Sequence, residues 1–143
     1  MRVLIVEDEA LLALQLEGLV EDEGHVVVGW AMSSIEAIRL AAETRPDLAF
    51  VDVHLSDGPT GIDVAREVRR ASDTTVVFMT ANAKRIPDDY AGAAGVIAKP
   101  YTMQGVTAAL RYLDQGVTTP PPRLRLPNSF RLAPDYAERW KES

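Results

Sequence analysis

Apolar runs and helical repeats alternate along the first 116 residues of the chain. Short runs of Val, Ile, Leu and Phe are typical of strands that a sheet buries on both faces. The segments between them carry apolar residues three and four positions apart, which is typical of amphipathic helices. The pattern predicts strands at 2–6, 25–31, 48–53, 74–80 and 95–99, and helices at 10–24, 33–44, 60–72 and 102–116.

Strands that alternate with helices in this way form a parallel sheet whose two faces are covered by the helices. Right-handed crossovers and five strands favour the strand order 2-1-3-4-5. The sequence therefore predicts an α/β fold, a flavodoxin-like (βα)5 three-layer sandwich. The helix starts carry cap signals: Ser33 with Glu36 three positions later, Thr60 and Thr102, while Gly116 marks the expected end of the last helix.

The segment between the fourth and fifth strands is a poor helix. It is short for a complete crossover helix, and its "KRIPDDYAGAAG" contains Pro87 and two glycines. Proline and glycine are the residues that a helix interior tolerates least. We expect the helix in this segment to be short, irregular or mobile.

The charge changes sign near residue 116. The chain carries a net charge of −6, but residues 1–116 account for −8 and residues 117–143 for +2. The change coincides with "GVTTPPPRLRLPNSF", which contains four prolines. We interpret 1–116 as one domain and 117–143 as a Pro-rich linker and tail without a separate effector domain. Within the tail, "RLRL" could add an edge strand, and "DYAERWKES" could form a short helix that docks Tyr136 and Trp140; a partly disordered tail is the alternative.

Composition excludes several classes of function. The chain has no cysteine, so it lacks disulfides, thiolate metal sites and a thiol nucleophile, which fits a cytoplasmic location. It has no run long enough for a membrane span and no pattern typical of a signal peptide. A net negative charge argues against general nucleic-acid binding.

Polar residues follow four of the predicted strands directly. Glu7 and Asp8 end the first strand, Asp52 the third, Thr80 the fourth and Lys99 the fifth. In a sheet with this strand order, the functional site lies beyond the carboxyl ends of the strands, where strands 1 and 3 meet. We therefore expect these side chains to converge on one rim.

Three carboxylates at one rim repel one another unless a cation joins them. Hard oxygen ligands suit Mg²⁺, for which Mn²⁺ can substitute, and a lysine and a hydroxyl can bind phosphoryl oxygens. An aspartate beside such an ion can accept a phosphoryl group. The acidic "EDEA" would repel the phosphate of a flavin nucleotide, and the chain lacks a P-loop motif. Glu9 is interpreted as a charge at a helix start, favoured by the helix dipole.

These residues resemble the receiver domain of bacterial two-component response regulators. The resemblance covers about residues 1–116 and lies in "VLIVEDE" (3–9), "DLAFVDVHLSDGPTGIDVAREVR" (47–69), "VVFMTA" (76–81) and "GVIAKPY" (95–101). "VVFMTAN" also resembles the Phe-x-Thr signature of an alphaproteobacterial receiver subfamily with an atypical fourth helix.

The resemblance implies a role for each site residue. Asp52 would accept the phosphoryl group from a sensor histidine kinase or a histidine phosphotransfer protein. Mg²⁺ would be held by Asp8, Asp52 and the backbone carbonyl of His54, with Glu7 acting largely through water. Lys99 would contact the phosphoryl group.

Further positions follow from the same resemblance. Thr80 would turn towards the phosphoryl group and carry the conformational signal. Ala81 and Asn82 would form the loop that gives the phosphoryl group access, and Pro100 matches a frequent cis-proline position. Val96 and Tyr101 would belong to the signalling face. Val96 stands where the family often has an aromatic residue, so the usual coupling of an aromatic ring to the threonine is not expected here.

The function expected from the sequence is that of a single-domain response regulator, a phosphoacceptor rather than an enzyme. It would act through a partner protein, as a phosphorelay member or as a phosphate sink, without nucleic acid or membrane, and a homodimer is left open. One alternative is a Mg²⁺-dependent phosphohydrolase with Asp52 as nucleophile, although His54 stands where haloacid-dehalogenase-type enzymes carry their acid. The other is a receiver-like scaffold that is never phosphorylated.

Overall fold

The computed structural model describes residues 1–141, except for the side chains of 137 and 139–141. The elements follow one another in this order: β1 (Arg2–Val6), α1 (Ala10–Asp22), β2 (Val26–Ala31), α2 (Ser34–Thr44), β3 (Leu48–Asp52), α3 (Gly61–Ala71), β4 (Thr75–Thr80), β5 (Gly95–Ala98), α4 (Met103–Thr118), β6 (Phe130–Leu132) and α5 (Pro134–Lys141). No helix in the described part of the chain combines the length and the apolar character needed to cross a membrane.

The sheet has the order β2-β1-β3-β4-β5-β6. The first five strands run parallel, and β6 pairs antiparallel with β5. The predicted flavodoxin-like order 2-1-3-4-5 is therefore confirmed, with one additional strand at the end of the sheet. Because parallel strands point the same way, β1, β3, β4 and β5 all end at the same rim.

The two faces of the sheet bury separate apolar clusters. Alternate residues of the central strands point to opposite faces, as the twofold strand period requires. One face packs Ile5, Phe50 and Ile97 with apolar residues of α1 and α4. The other packs Leu4 and Phe78 with residues of α2 and α3. The strands β3 and β4 are buried along their whole length, which explains why their sequences are continuously apolar.

Two of the three predicted helix caps are confirmed. The hydroxyl of Ser33 accepts a hydrogen bond from the Glu36 backbone N–H, and that of Thr102 accepts one from Gly105 N–H. The prediction for Thr60 was wrong, because its hydroxyl donates to the Asp57 carboxylate and leaves the start of α3 without a side-chain cap. The last helix also continues past Gly116 to Thr118, since Gly116 is buried within α4 instead of ending it.

The connection between β4 and β5 forms only two short 3-10 turns, at Ala83–Arg85 and Tyr90–Gly92. Asn82 and Asp89 cap these turns with their side chains. Tyr90 and Ala91 adopt left-handed backbone angles, with φ of 54° and 50°, which an α-helix cannot contain. The predicted irregularity of this segment is confirmed.

The tail returns to the sheet, but not through "RLRL". The backbone N–H groups of Arg123 and Leu124 donate to the Gln115 side chain, 2.7 and 2.9 Å away, and the leucines of this segment are exposed. The edge strand is instead β6. Its Phe130 is buried beside the Tyr112 ring, with 6.2 Å between the ring centroids.

The sixth strand depends on a glycine in its neighbour. A Cβ on Gly95 would overlap the Arg131 carbonyl oxygen and lie 2.6 Å from the Phe130 ring. Tyr136 of α5 is buried in the same cluster, so the structure shows the docked helix, one of the two alternatives that the sequence left open for the tail. The Trp140 side chain lies outside the described residues.

Candidate functional site

The predicted rim residues meet around the amino group of Lys99. Its Nζ lies 2.9 Å from Asp52 Oδ2 and 3.1 Å from Glu7 Oε1. Lys99 follows β5, Asp52 ends β3 and Glu7 follows β1, so three strand ends supply the cluster. Asp52 and Glu7 are buried, and the Lys99 side chain keeps only 16% of its surface exposed. The sequence prediction that these side chains converge is confirmed by the structure.

Burial and mutual repulsion shift the protonation of this cluster. Burial, together with the neighbouring Asp52 carboxylate, raises the pKa of Glu7 to about 8, although Lys99 opposes the change. Burial disfavours the charge on Lys99, yet its hydrogen bonds to Asp52 and Glu7 outweigh that cost and raise the pKa of Lys99. One cation thus serves two buried carboxyl groups, and Glu7 retains a proton near neutral pH.

The donor set fits a magnesium ion. One carboxylate oxygen each from Glu7, Asp8 and Asp52 lies within 4.8 Å of the others. Asp8 is half-buried, so an ion beside it could keep several waters, as Mg²⁺ requires. Among the described residues, no hydrogen bond or ion pair holds the Asp8 side chain. It is therefore the member of the set whose oxygens are fully available to a ligand.

The loop after β3 touches the site through its backbone. The His54 N–H donates to Asp52 Oδ1 across 3.2 Å, which leaves Oδ2 to Lys99. Both oxygens of Asp52 are thus held by donors, and its carboxylate plane is fixed. The His54 side chain is exposed. A role for the His54 carbonyl as a ligand remains a prediction from the resemblance.

The end of β4 supplies a buried hydroxyl beside Lys99. The Lys99 backbone N–H donates to the Thr80 carbonyl across 2.8 Å, so the two predicted residues are neighbours. Thr80 Oγ1 accepts a hydrogen bond from Asn82 N–H at 3.0 Å, and its own hydrogen remains available to an acceptor. The Asn82 side chain turns away to cap the next turn through Lys84 N–H. Ala81 is exposed and small, which leaves this side of the rim open.

The remaining predicted positions lie around β5. The bond between Lys99 and Pro100 is cis, as the sequence predicts. Burial raises the pKa of Tyr101 to about 12, and its hydroxyl is buried without a hydrogen-bond partner among the described residues. Val96 is buried opposite Arg131 of β6. It also lines a cavity of about 420 Å³ together with Lys84.

Two supports of the site escape sequence reasoning. The Trp30 indole N–H donates to the Glu7 backbone carbonyl across 2.7 Å. The Asp57 carboxylate accepts hydrogen bonds from the Ser34 N–H at the start of α2 and from the Thr60 hydroxyl, which ties the loop after β3 to α2. The Ser34 hydroxyl, which also donates to this carboxylate, the Thr60 hydroxyl and the Ser34 N–H together hold the pKa of Asp57 below its usual value. Neither contact has a signal in the sequence, because each depends on the path of a loop.

Comparison with known proteins identifies the family. The model described as "Response regulator receiver domain" matches residues 3–111. The phyllosphere-induced regulator PhyR of Methylorubrum extorquens is 38% identical over 110 residues, which are 76% of this chain and 41% of PhyR. The transcriptional regulatory protein PdtaR of Mycobacterium tuberculosis is 36% identical over 112 residues, 76% of this chain and 54% of PdtaR.

A solved structure has the same fold over most of the chain. The solution structure of the receiver domain of PhyR from Erythrobacter litoralis is 30% identical, with a TM-score of 0.74, and the match covers 84% of this chain and 94% of that one. The chain spans about half the length of the curated relatives it matches. The matched residues include every strand end that builds the acidic cluster. The chain belongs to the response regulator receiver domain family of two-component systems.

Proposed function

We propose that Asp52 accepts a phosphoryl group from the phosphohistidine of a sensor histidine kinase or a histidine phosphotransfer protein. The observation that carries this proposal is the pairing of Asp52 with both Lys99 and the acidic residues that follow β1. Lys99 Nζ bridges Asp52 and Glu7, and an Asp8 oxygen lies within 4.8 Å of theirs. A purely structural ion pair would need only one carboxylate for the Lys99 amine. Such a pair does not explain why three acidic residues, Glu7, Asp8 and Asp52, lie together here.

The transfer forms a bond between an Asp52 oxygen and phosphorus and breaks the bond between phosphorus and the donor nitrogen. The donor imidazole keeps the electron pair of that bond and becomes neutral after proton exchange. Asp52 is 7% exposed and its two oxygens are oriented by Lys99 and the His54 N–H, so little reorganisation is needed before the attack. Mg²⁺, held by Asp8 and Asp52 with Glu7 through water, would neutralise charge on the transferring group.

Lys99 and Thr80 then bind the product. The Lys99 amine can move from an Asp52 oxygen to a phosphoryl oxygen because it is a flexible point charge. The Thr80 hydroxyl can donate to a second phosphoryl oxygen while it still accepts from Asn82 N–H. Both changes occur next to β5, which makes this strand the first element to respond. A shift in the population of conformations at β5 and its neighbours is the proposed signal.

The output would be a protein partner, a further phosphorelay step or the removal of phosphoryl groups from a kinase. The described part of the tail supports none of the DNA-binding motifs, because after α4 it contributes one three-residue strand and one eight-residue helix, both docked on the receiver fold. The regulatory functions in the names of PhyR and PdtaR belong to longer proteins, of which the matched residues are 41% and 54%.

Labelling by acetyl phosphate tests the proposal. The full chain should gain one phosphoryl group in Mg²⁺ and none in EDTA, and Asp52→Asn should abolish the labelling. Asp63→Asn is the matched control, since Asp63 is an exposed carboxylate on α3 and its substitution changes the charge equally. Labelling that survives in Asp52→Asn would refute the assignment of the acceptor. Sustained hydrolysis of phosphomonoesters would favour the phosphohydrolase, and absence of any labelling would favour the scaffold.

A further inference from the structure

The backbone hydrogen bonds that join the β1 and β2 segments end at Glu7. Asp8, the next acidic residue of the cluster, lies beyond them. The Glu7 N–H donates to the Ala31 carbonyl across 2.9 Å, and β2 stops at Ala31. The next backbone group after β1, the Glu7 carbonyl, therefore has no strand partner. The Trp30 side chain replaces the missing donor, because its Nε1–H reaches the Glu7 carbonyl at 2.7 Å.

This bond fixes the peptide that leads into Asp8. Glu7 is held at its N–H by Ala31, at its carbonyl by Trp30 and at its carboxylate by Lys99. Asp8, by contrast, has no side-chain partner among the described residues, so the direction of its carboxylate depends on the backbone that carries it. The next backbone hydrogen bond along the chain is already that of the first helical turn, from the Ala13 N–H to the Glu9 carbonyl.

We propose that Trp30 is a positioning residue for the metal loop, acting through the Glu7 carbonyl on the orientation of Asp8. The inference rests on the proposed function, since it concerns the affinity of the same acidic cluster for Mg²⁺. A partly exposed tryptophan on an edge strand would otherwise contribute only packing, and 37% of Trp30 is exposed. The two roles differ in what the N–H contributes: packing needs the ring alone, and positioning needs the donor.

The test replaces the indole donor without changing the shape of the ring. In a full-length Trp140→Phe background, Trp30 becomes the only tryptophan of the chain. Biosynthetic replacement by 3-benzothienyl-alanine removes the N–H, whereas 4-fluorotryptophan keeps it. Mg²⁺ binding is measured by calorimetric titration, and the melting temperature is measured in EDTA. A Trp30→Phe variant provides the genetically encoded equivalent.

We expect the sulfur analogue and Trp30→Phe to bind Mg²⁺ about 3- to 10-fold more weakly, the effect that the loss of one neutral hydrogen bond typically has. The 4-fluorotryptophan protein should bind within about twofold of the parent, because its donor is retained. In the parent, the Trp30 indole proton–nitrogen signal should shift when Mg²⁺ is added.

Equal Mg²⁺ affinity with and without the N–H would overturn the inference and leave the proposed function intact. A loss that is as large in the 4-fluorotryptophan protein would also overturn it, because the ring and not the donor would then be responsible. If the parent itself binds no Mg²⁺, both the metal-dependent function and the inference fail. If Trp30→Phe does not fold, the comparison between the two analogues decides the result.

Discussion

Replacing Lys99 by methionine should make the stability of this fold depend on a divalent cation. Lys99 is the cation that the described structure places between the carboxyl groups of Asp52 and Glu7, at 2.9 and 3.1 Å. Methionine keeps much of the apolar stem and removes the charge. The substitution leaves two buried carboxyl groups facing each other with no counter-charge, which is the arrangement that a protein interior tolerates least.

The cost can be worked out from the burial of the pair. Removing one partner of a buried ion pair typically destabilises a protein by about 3–5 kcal/mol. The lower end, about 3 kcal/mol, applies here because 16% of the Lys99 side chain is exposed and Glu7 can relieve the repulsion by holding a proton. A chain of 143 residues has an unfolding entropy of about 0.3 kcal/mol per kelvin, so the melting temperature in EDTA should fall by about 10 °C.

Thermal unfolding followed by circular dichroism, in EDTA and in saturating Mg²⁺, measures this effect. Mg²⁺ should raise the melting temperature of Lys99→Met more than that of the parent, because the ion replaces the lost charge. In EDTA the deficit should be similar at about pH 6 and pH 7, where Glu7 holds a proton in both proteins. It should grow above about pH 8, because Glu7 ionises there in the parent but, without Lys99 to favour its charge, keeps its proton in Lys99→Met. Lys84→Met, at an exposed lysine, is the matched control. A fall of less than about 3 °C, or an equal response to Mg²⁺ in both proteins, would refute the reasoning.

Three further predictions follow from other contacts. Without metal, Glu7 holds a proton up to a pH of about 8, so Mg²⁺ binding must displace that proton, and the affinity should rise with pH by at most about tenfold per unit below that value. Glu7→Gln should flatten this pH profile. A slope that is unchanged in calorimetric titrations of Glu7→Gln would argue against this assignment. Gly95→Ala should lower the unfolding free energy by about 1–3 kcal/mol in urea titrations because its Cβ displaces β6, whereas Gly18→Ala, with open space around it, should raise it by up to about 1 kcal/mol. Asp57→Ala should free the loop after β3 from α2, so amide hydrogen exchange across this loop should become faster and labelling of the phosphoacceptor slower. Unchanged exchange would show that the hydrogen bonds of Asp57 are not needed to hold the loop.

The convergence of the site could be predicted because it follows from strand direction alone. Once the five strands are placed, parallel pairing requires Glu7, Asp52 and Lys99 to end at one rim. No side-chain detail enters this argument, and an error of one or two residues at a strand end does not change it. The irregular segment before β5 was predictable for a similar reason, since Pro87 and its glycines restrict helix formation whatever the tertiary context.

The supports of the site could not be predicted because they depend on loop geometry. Nothing in the sequence around Trp30 indicates that its indole reaches the Glu7 carbonyl, since the bond requires β2 to stop where β1 continues. An edge strand at "RLRL" was one of the alternatives that the sequence left open, because that segment alternates, yet pairing there would need a complementary edge. The missing side chain of Gly95 leaves the space that the Phe130 ring and the Arg131 carbonyl fill when β6 pairs with β5. This fit can be recognised only once the positions of both strands are known.

The position of β6 gives the proposed signal a direct mechanical route. The Lys99 amine donates to both oxygens of Glu7 and to one oxygen of Asp52, so binding a phosphoryl oxygen would require it to give up at least one of these contacts. Such a displacement would act on β5, because the Lys99 N–H just after this strand donates to the Thr80 carbonyl and the strand itself pairs with β6. The edge that β6 covers therefore lies directly beside the strand that carries Lys99. We therefore expect the conformational change on phosphorylation to appear at the edge formed by β5 and β6. The irregular segment before β5 has two short 3-10 turns and no α-helix that could move in response.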